Sequence, residues 1–198
     1  MAADFDPGTG LGPRLRLVRG SRQLSVRELA RRVGCSASLI SQIERGVSVP
    51  SVGVLYSLAT ELGSSLDYLL FGSGAGPDGV PAPLIVQRGC DRRIIDLASG
   101  VRWERLTPRP EAMTDFLEVI YSPGGHSADE RRPLRHDGRE YGLIISGTLQ
   151  ANVGFESYEL GPGDSIAFDS STPHEYLNKT GEVVHAIWVV VHSEPGRA

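Results

Sequence analysis

Residues 24–46, LSVRELARRVGCSASLISQIERG, constrain the chain more than any other stretch, because the start, stop and buried face of two short helices can be read there. Ser25 followed three residues on by Glu28 is a capping box. The Ser oxygen accepts from a free N–H of the first turn, and Glu28 is expected to bond back to the cap. Val26, Leu29, Ala30 and Val33 recur at helical spacing and supply a buried face. Gly34 suits the positive φ that ends a helix. Ser36 then caps a second helix with Ile40 and Ile43 inward and Ala37, Ser38, Ser41, Gln42 and Arg45 outward. Small side chains at a helix start let the backbone approach base edges, and a glutamine one turn later can bond bidentately to adenine in the major groove. The same polar face on a helix pair that binds nothing would simply meet water. The candidate DNA-contacting set is Ser25, Ser36, Ala37, Ser38, Ser41, Gln42 and Arg45.

More helices flank this pair. Leu15 and Val18 mark a first helix over residues 12–19. Ser51 caps a fourth with Val52, Leu55, Leu58, Ala59 and Leu62 inward and Gly63 closing it, and residues 65–70 add a short fifth. Residues 11–71, including the IERG ending and the Pro50-Ser51 entry to the fourth helix, resemble the phage-repressor-like (XRE-type) helix-turn-helix family. That resemblance implies an ion pair between Arg19 and Glu44, partly buried.

Charge divides unevenly. Residues 1–10 carry two acids, and residues 11–72 carry eight Arg against four acids, a balance of +4, while residues 73–198 balance at −6. A basic module suits phosphates, and an acidic remainder is repelled by them. Arg14, Arg16, Arg22, Arg31 and Arg32 form the candidate basic face, unless they are an ordinary solvated surface. Cys35 and Cys90 are far apart in sequence and read as plain thiols. No apolar run approaches the roughly 18 residues of a membrane span. The opening MAADFDPGTG has neither the basic start nor the apolar core of a signal peptide. A cytoplasmic protein without a membrane partner is expected.

Gly and Pro dominate residues 73–83, which read as a linker. Beyond residue 84 the helical period gives way to short apolar, β-branched runs separated by turn residues: RIIDL, VRWERLT, DFLEVIYS, YGLIISG, TLQANV, SYEL, DSIAFD and VVHAIWVVV. About ten short strands point to an all-β sandwich or barrel. The expected organisation is multidomain, α followed by β: a mobile tail over 1–10, a five-helix DNA-binding domain over 11–72, the linker, and a β domain over 84–198.

PLRHDGREYGLIISGTL and GPGDSIAFDSSTPHEYLN resemble the two motifs of the cupin superfamily, whose double-stranded β-helix (jelly-roll barrel) brings them face to face. The first motif matches at His136, Glu140 and Gly147 but has Leu134 where the family has a first His. The second matches at Gly163, His174 and Asn178 but has Asp169 and Ser171 at its Pro and Gly positions. Leu134 has no lone pair to donate, so the resemblance implies three protein ligands, His136, Glu140 and His174. Two His and a carboxylate with open positions suit one divalent metal, Fe, Zn or Mn. Equally, the three could be polar contacts for an organic effector, or a satisfied polar cluster. His126, His185 and His192 match no motif position and read as structural or exposed. Trp103 and Trp188 fall in strand patterns as core residues, and a face of the Trp103 strand could line a pocket.

Together the two halves resemble a family of bacterial transcription regulators, and RHDGREYGLIISGTL with Leu134 resembles the putrescine-utilisation repressor group more than the metal-binding cupins. The resemblance implies a sequence-specific regulator that binds a double-stranded DNA operator, senses a small molecule in its cupin domain and dimerises through it. A competing reading is a mononuclear non-haem iron enzyme, since a phosphonate epoxidase of an antibiotic pathway also joins a helix-turn-helix-like domain to a cupin using two His and one Glu. A cupin isomerase or dioxygenase without regulation leaves the first seventy or so residues unexplained. Operator, effector, sign of regulation and metal occupancy are left open by the residues.

Overall fold

The computed structural model of the protein describes residues 10–64, 66–72, 85–111, 113–128 and 133–192. The expected tail (residues 1–9 of it) and the expected linker lie outside these residues. Five helices come first: α1 (Leu11–Ser21), α2 (Val26–Val33), α3 (Ala37–Glu44), α4 (Val52–Leu62) and α5 (Leu66–Phe71). The caps form as the sequence indicates. Ser25, Ser36 and Ser51 accept from the N–H groups of Glu28, Leu39 and Val54, and Gly34 and Gly63 take left-handed conformations that end α2 and α4. One half of the capping box differs. The Glu28 carboxylate bonds Arg31 and Arg32, at 2.8–3.1 Å, rather than turning back to Ser25. Both arginines sit one turn along the same face, and a charge-assisted bond outcompetes a neutral N–H.

Leu15, Leu29, Ile40, Ile43, Leu55, Leu58 and Leu69 are buried in the helical core. Arg19 donates to both Glu44 oxygens, at 2.6 and 3.0 Å, and to the Leu24 carbonyl, so the expected pair is present and bidentate. It ties the end of α1 to the end of α3.

Among the described residues nine strands follow: β1 (Ile94–Leu97), β2 (Val101–Arg105), β3 (Thr114–Tyr121), β4 (Arg139–Ser146), β5 (Leu149–Val153), β6 (Glu156–Leu160), β7 (Ser165–Asp169), β8 (His174–Leu177) and β9 (Val184–Val191). β8 was not among the eight apolar runs, because HEYL carries a single strongly apolar residue. The strands form two antiparallel sheets, ordered β1-β2-β3-β9-β4-β7 and β6-β5-β8, with a Leu134–His174 bridge joining them near the site. Period-two alternation sends Trp103, Leu117, Val119, Tyr121, Trp188 and Val190 inward. Asn178 donates to the carbonyls of Tyr121, Ser122 and Glu182, a structural role that binds the β8–β9 connection to the end of β3.

Gly142 is opposite Trp188 in the β4–β9 ladder. A methyl group on Gly142 would meet the Trp188 ring at 2.5 Å. Gly142→Ala should therefore displace that indole and lower unfolding free energy by about 1–3 kcal/mol, the usual scale of overpacking. Urea denaturation followed by Trp fluorescence measures it; an unchanged midpoint would show that the ring has another place to go.

Candidate functional site

His136, Glu140 and His174 are brought together inside the barrel although they come from two separate stretches of chain. His136 precedes the Asp137-Gly138 turn, where Gly138 has φ 113° and approaches the Val191 carbonyl too closely for any side chain. The turn reverses direction enough for His136 and Glu140 both to face inward. His174 opens β8 on the facing sheet, held by paired backbone bonds with Leu134 of 2.7 and 3.0 Å.

All three side chains are buried, and one potential ligand atom of each lies within 4.8 Å of the others. His136 Nε2 and His174 Nε2 lie 2.6 and 3.0 Å from the same carboxylate oxygen, Glu140 Oε1. Neither approach has hydrogen-bond geometry, so both buried Nε2 atoms are left without a hydrogen-bond partner among the described residues. The other ring nitrogens explain this orientation. His174 Nδ1 lies 2.8 Å from the Thr172 carbonyl and His136 Nδ1 3.3 Å from that of Asp137. A carbonyl only accepts, so the proton is placed on Nδ1 and the Nε2 lone pair faces Oε1. Two imidazole nitrogens and a carboxylate oxygen converging in this way form a donor set that one divalent ion would satisfy at once. That donor set fits a 2-His-1-carboxylate metal centre. The second Glu140 oxygen accepts from the Tyr176 hydroxyl at 2.7 Å. Burial pushes the Glu140 carboxyl pKa upward, but when the two imidazoles are protonated and cationic they outweigh it and hold it at about 2.

Leu134 lines the adjoining cavity, where the family motif has a His, together with Trp103, Tyr121, Trp188 and Val190. Two residues of this site carried no assignment from sequence. Tyr176 follows His174 by two and therefore shares its face, a signal available from strand periodicity. Tyr56 belongs to α4 of the helical half, and its ring lies parallel to that of His136 with centroids 4.4 Å apart. His126, His185 and His192 lie elsewhere: His126 contacts the Ala128 carbonyl, His185 contacts Glu118 and His192 contacts Asp115. Cys35 and Cys90 form no disulfide.

On α3, Ser38 is exposed and Ser41 and Gln42 are half-exposed; Arg45 is exposed and donates to Ser41 at 2.6 Å. Ala37 is less outward than expected and packs partly against the core. The basic face also needs correction. Arg14 is turned to the carbonyls of Leu69 and Leu70 and Arg22 to that of Leu62, where they close the ends of helices. Arg22 is nevertheless exposed, as are Arg16, Arg27, Arg31, Arg32 and Arg45.

A helix-turn-helix family model matches residues 15–69 and a cupin domain model residues 117–190. The chain is similar to the HTH-type transcriptional regulator PuuR of Escherichia coli, 27% identical over 92% of this chain and 95% of that protein. It is also similar to the HTH-type transcriptional regulator SutR of the same organism, 26% identical over 88% of this chain and 90% of that protein. Among solved structures, an HTH_3 family transcriptional regulator from Vibrio cholerae has the same fold, with a TM-score of 0.69 at 22% identity over 95% of this chain and 98% of that one. No helix among the described residues is long and apolar enough to cross a membrane. Residues 15–69 thus carry a helix-turn-helix and residues 117–190 a cupin domain.

Proposed function

We propose that the protein is a sequence-specific DNA-binding transcription regulator whose cupin barrel holds one divalent metal on His136, Glu140 and His174 and senses a small molecule there. The observation that carries the DNA-binding part is α3 itself: a Ser-capped helix behind a tight turn, with Ser38, Ser41 and Gln42 on its accessible side and Arg31, Arg32 and Arg45 around it. Ser25 and Ser36 sit at the N-termini of α2 and α3, where free N–H groups favour a phosphate. Its similarity to PuuR and SutR along most of its length supports the same reading.

Two copies are needed to read a pseudo-palindrome with half-sites about 34 Å apart. The outer face of the larger sheet offers the surface for that pairing. Phe116, Tyr141, Leu143, Ile145 and Val191 are exposed there on adjacent strands, with Phe116, Val189 and Tyr141 in one row. Such a contiguous apolar patch suits a self-complementary two-fold contact. Sedimentation should give a dimer at micromolar concentration; monomer alone, with and without DNA, would contradict it.

Genomic binding-site selection with the purified protein tests the regulatory reading and should recover a two-fold sequence. Gln42→Ala should then relax preference at one position per half-site, by about 1–3 kcal/mol of discrimination. An unchanged selected sequence would show that α3 docks differently. The three-ligand cluster also favours a second reading, a mononuclear iron oxygenase. Oxygen uptake by Fe(II)-loaded protein with candidate substrates, in the absence of any DNA preference, would favour it.

A further inference from the structure

The two halves meet at the mouth of the barrel, and the helical half enters it. Tyr56, 8% exposed, lies flat on His136 with 7° between the ring planes and meets Trp103 edge-on at 5.9 Å. Val52, one turn earlier on α4, lines the same cavity. Around this insertion the seam is light. The Ala98 N–H donates to the Pro50 carbonyl at 3.3 Å, and the Arg105 guanidinium lies 5.0 Å over the Phe71 ring. With Tyr56 in place the cavity is about 30 Å³, enough for a water or two and far short of an organic ligand. Its walls include Trp103, Tyr121, Tyr176, Trp188 and Val190, an aromatic and apolar lining of the kind that ligand pockets use.

We propose that Tyr56 is an intramolecular plug that occupies the place of a flat, single-ring ligand, so that ligand entry and seating of the DNA-reading domain on the barrel exclude each other. The inference rests on the reading of the barrel as a sensor and adds the class of its ligand and the way its occupancy is felt. The ring stacks on a metal-ligand candidate, and what stacks there in its stead must be planar and about as large. α4 packs on α2 and follows α3 after a short connection, so displacement of Tyr56 is passed to the whole reading unit through α4.

The test uses full-length metal-free wild type and Tyr56→Ala, with 4-methylphenol, the tyrosine side chain cut at its Cα–Cβ bond, as probe. Calorimetry should show at least tenfold tighter binding to Tyr56→Ala than to wild type. Hydrogen exchange at the Ala98 amide should rise about tenfold in the variant, and in wild type it should rise as the probe is titrated in. Equal probe affinity in both proteins, or Ala98 exchange that neither substitution nor probe alters, would overturn the plug. Should the Ala variant fail to fold, Tyr56→Leu keeps the helix apolar while removing the ring, with the same expected results. No readout here involves DNA or metal, so a failed operator selection would remove the regulatory reading and leave the plug standing.

Discussion

His174→Ala is expected to lower affinity for a divalent metal by more than about 100-fold, since loss of a direct ligand should exceed the 10–100-fold cost typical of losing an outer partner. Wild-type protein purified without chelator or affinity-tag metal should carry one Fe, Zn or Mn per chain, and the variant almost none. Tyr176→Phe removes the hydroxyl that fixes the second Glu140 oxygen. It should cost about 10–100-fold while leaving the ligand count unchanged. His185→Ala, which touches Glu118 and not the cluster, serves as the unaffected control. Affinity should fall in mild acid as protons compete for the imidazoles. Elemental analysis finding wild type metal-free after reconstitution would contradict the metal centre and leave the cluster as polar contacts for an organic effector.

Arg19→Met should have the largest effect on the reading half. It would strand Glu44, whose side chain is 8% exposed, without its bidentate partner. Stranding a charge in a partly buried pair costs on the order of 1–3 kcal/mol, a large share of a marginal domain's stability. The helical half should melt earlier by circular dichroism, and DNA binding should fail at temperatures where the barrel is intact. Because the penalty comes from the stranded charge, Arg19→Met combined with Glu44→Leu should recover much of the loss. A single variant as stable as wild type would show that Glu44 finds water instead.

Both expectations rest on features of unequal visibility in the sequence. Ser25, Ser36 and Gly34 could be read because caps and left-handed stops depend on neighbours within four residues. Glu28 could not be placed correctly by its capping-box position, because Arg31 and Arg32 compete for the same carboxylate and the outcome depends on side-chain geometry. Arg14 and Arg22 counted as surface charge until the fold placed carbonyls of α4 and α5 beside them. His136, Glu140 and His174 were identifiable through motif spacing, although their approach to one oxygen is a property of the facing sheets. Tyr56 had no signal at all. A helix pattern separates inward from outward, and the surface that buries Tyr56 comes from Trp103 and His136 in the other domain, far along the chain.

A helix α3 that reads base sequence must separate its operator from random duplex by affinity. Measured by fluorescence anisotropy on full-length protein at physiological salt, the selected operator should bind at least about 10³-fold more tightly than a scrambled duplex of equal length. Affinity for both should fall steeply as salt rises, through counterion release from the phosphates. Equal affinity for operator and scrambled DNA would contradict the account.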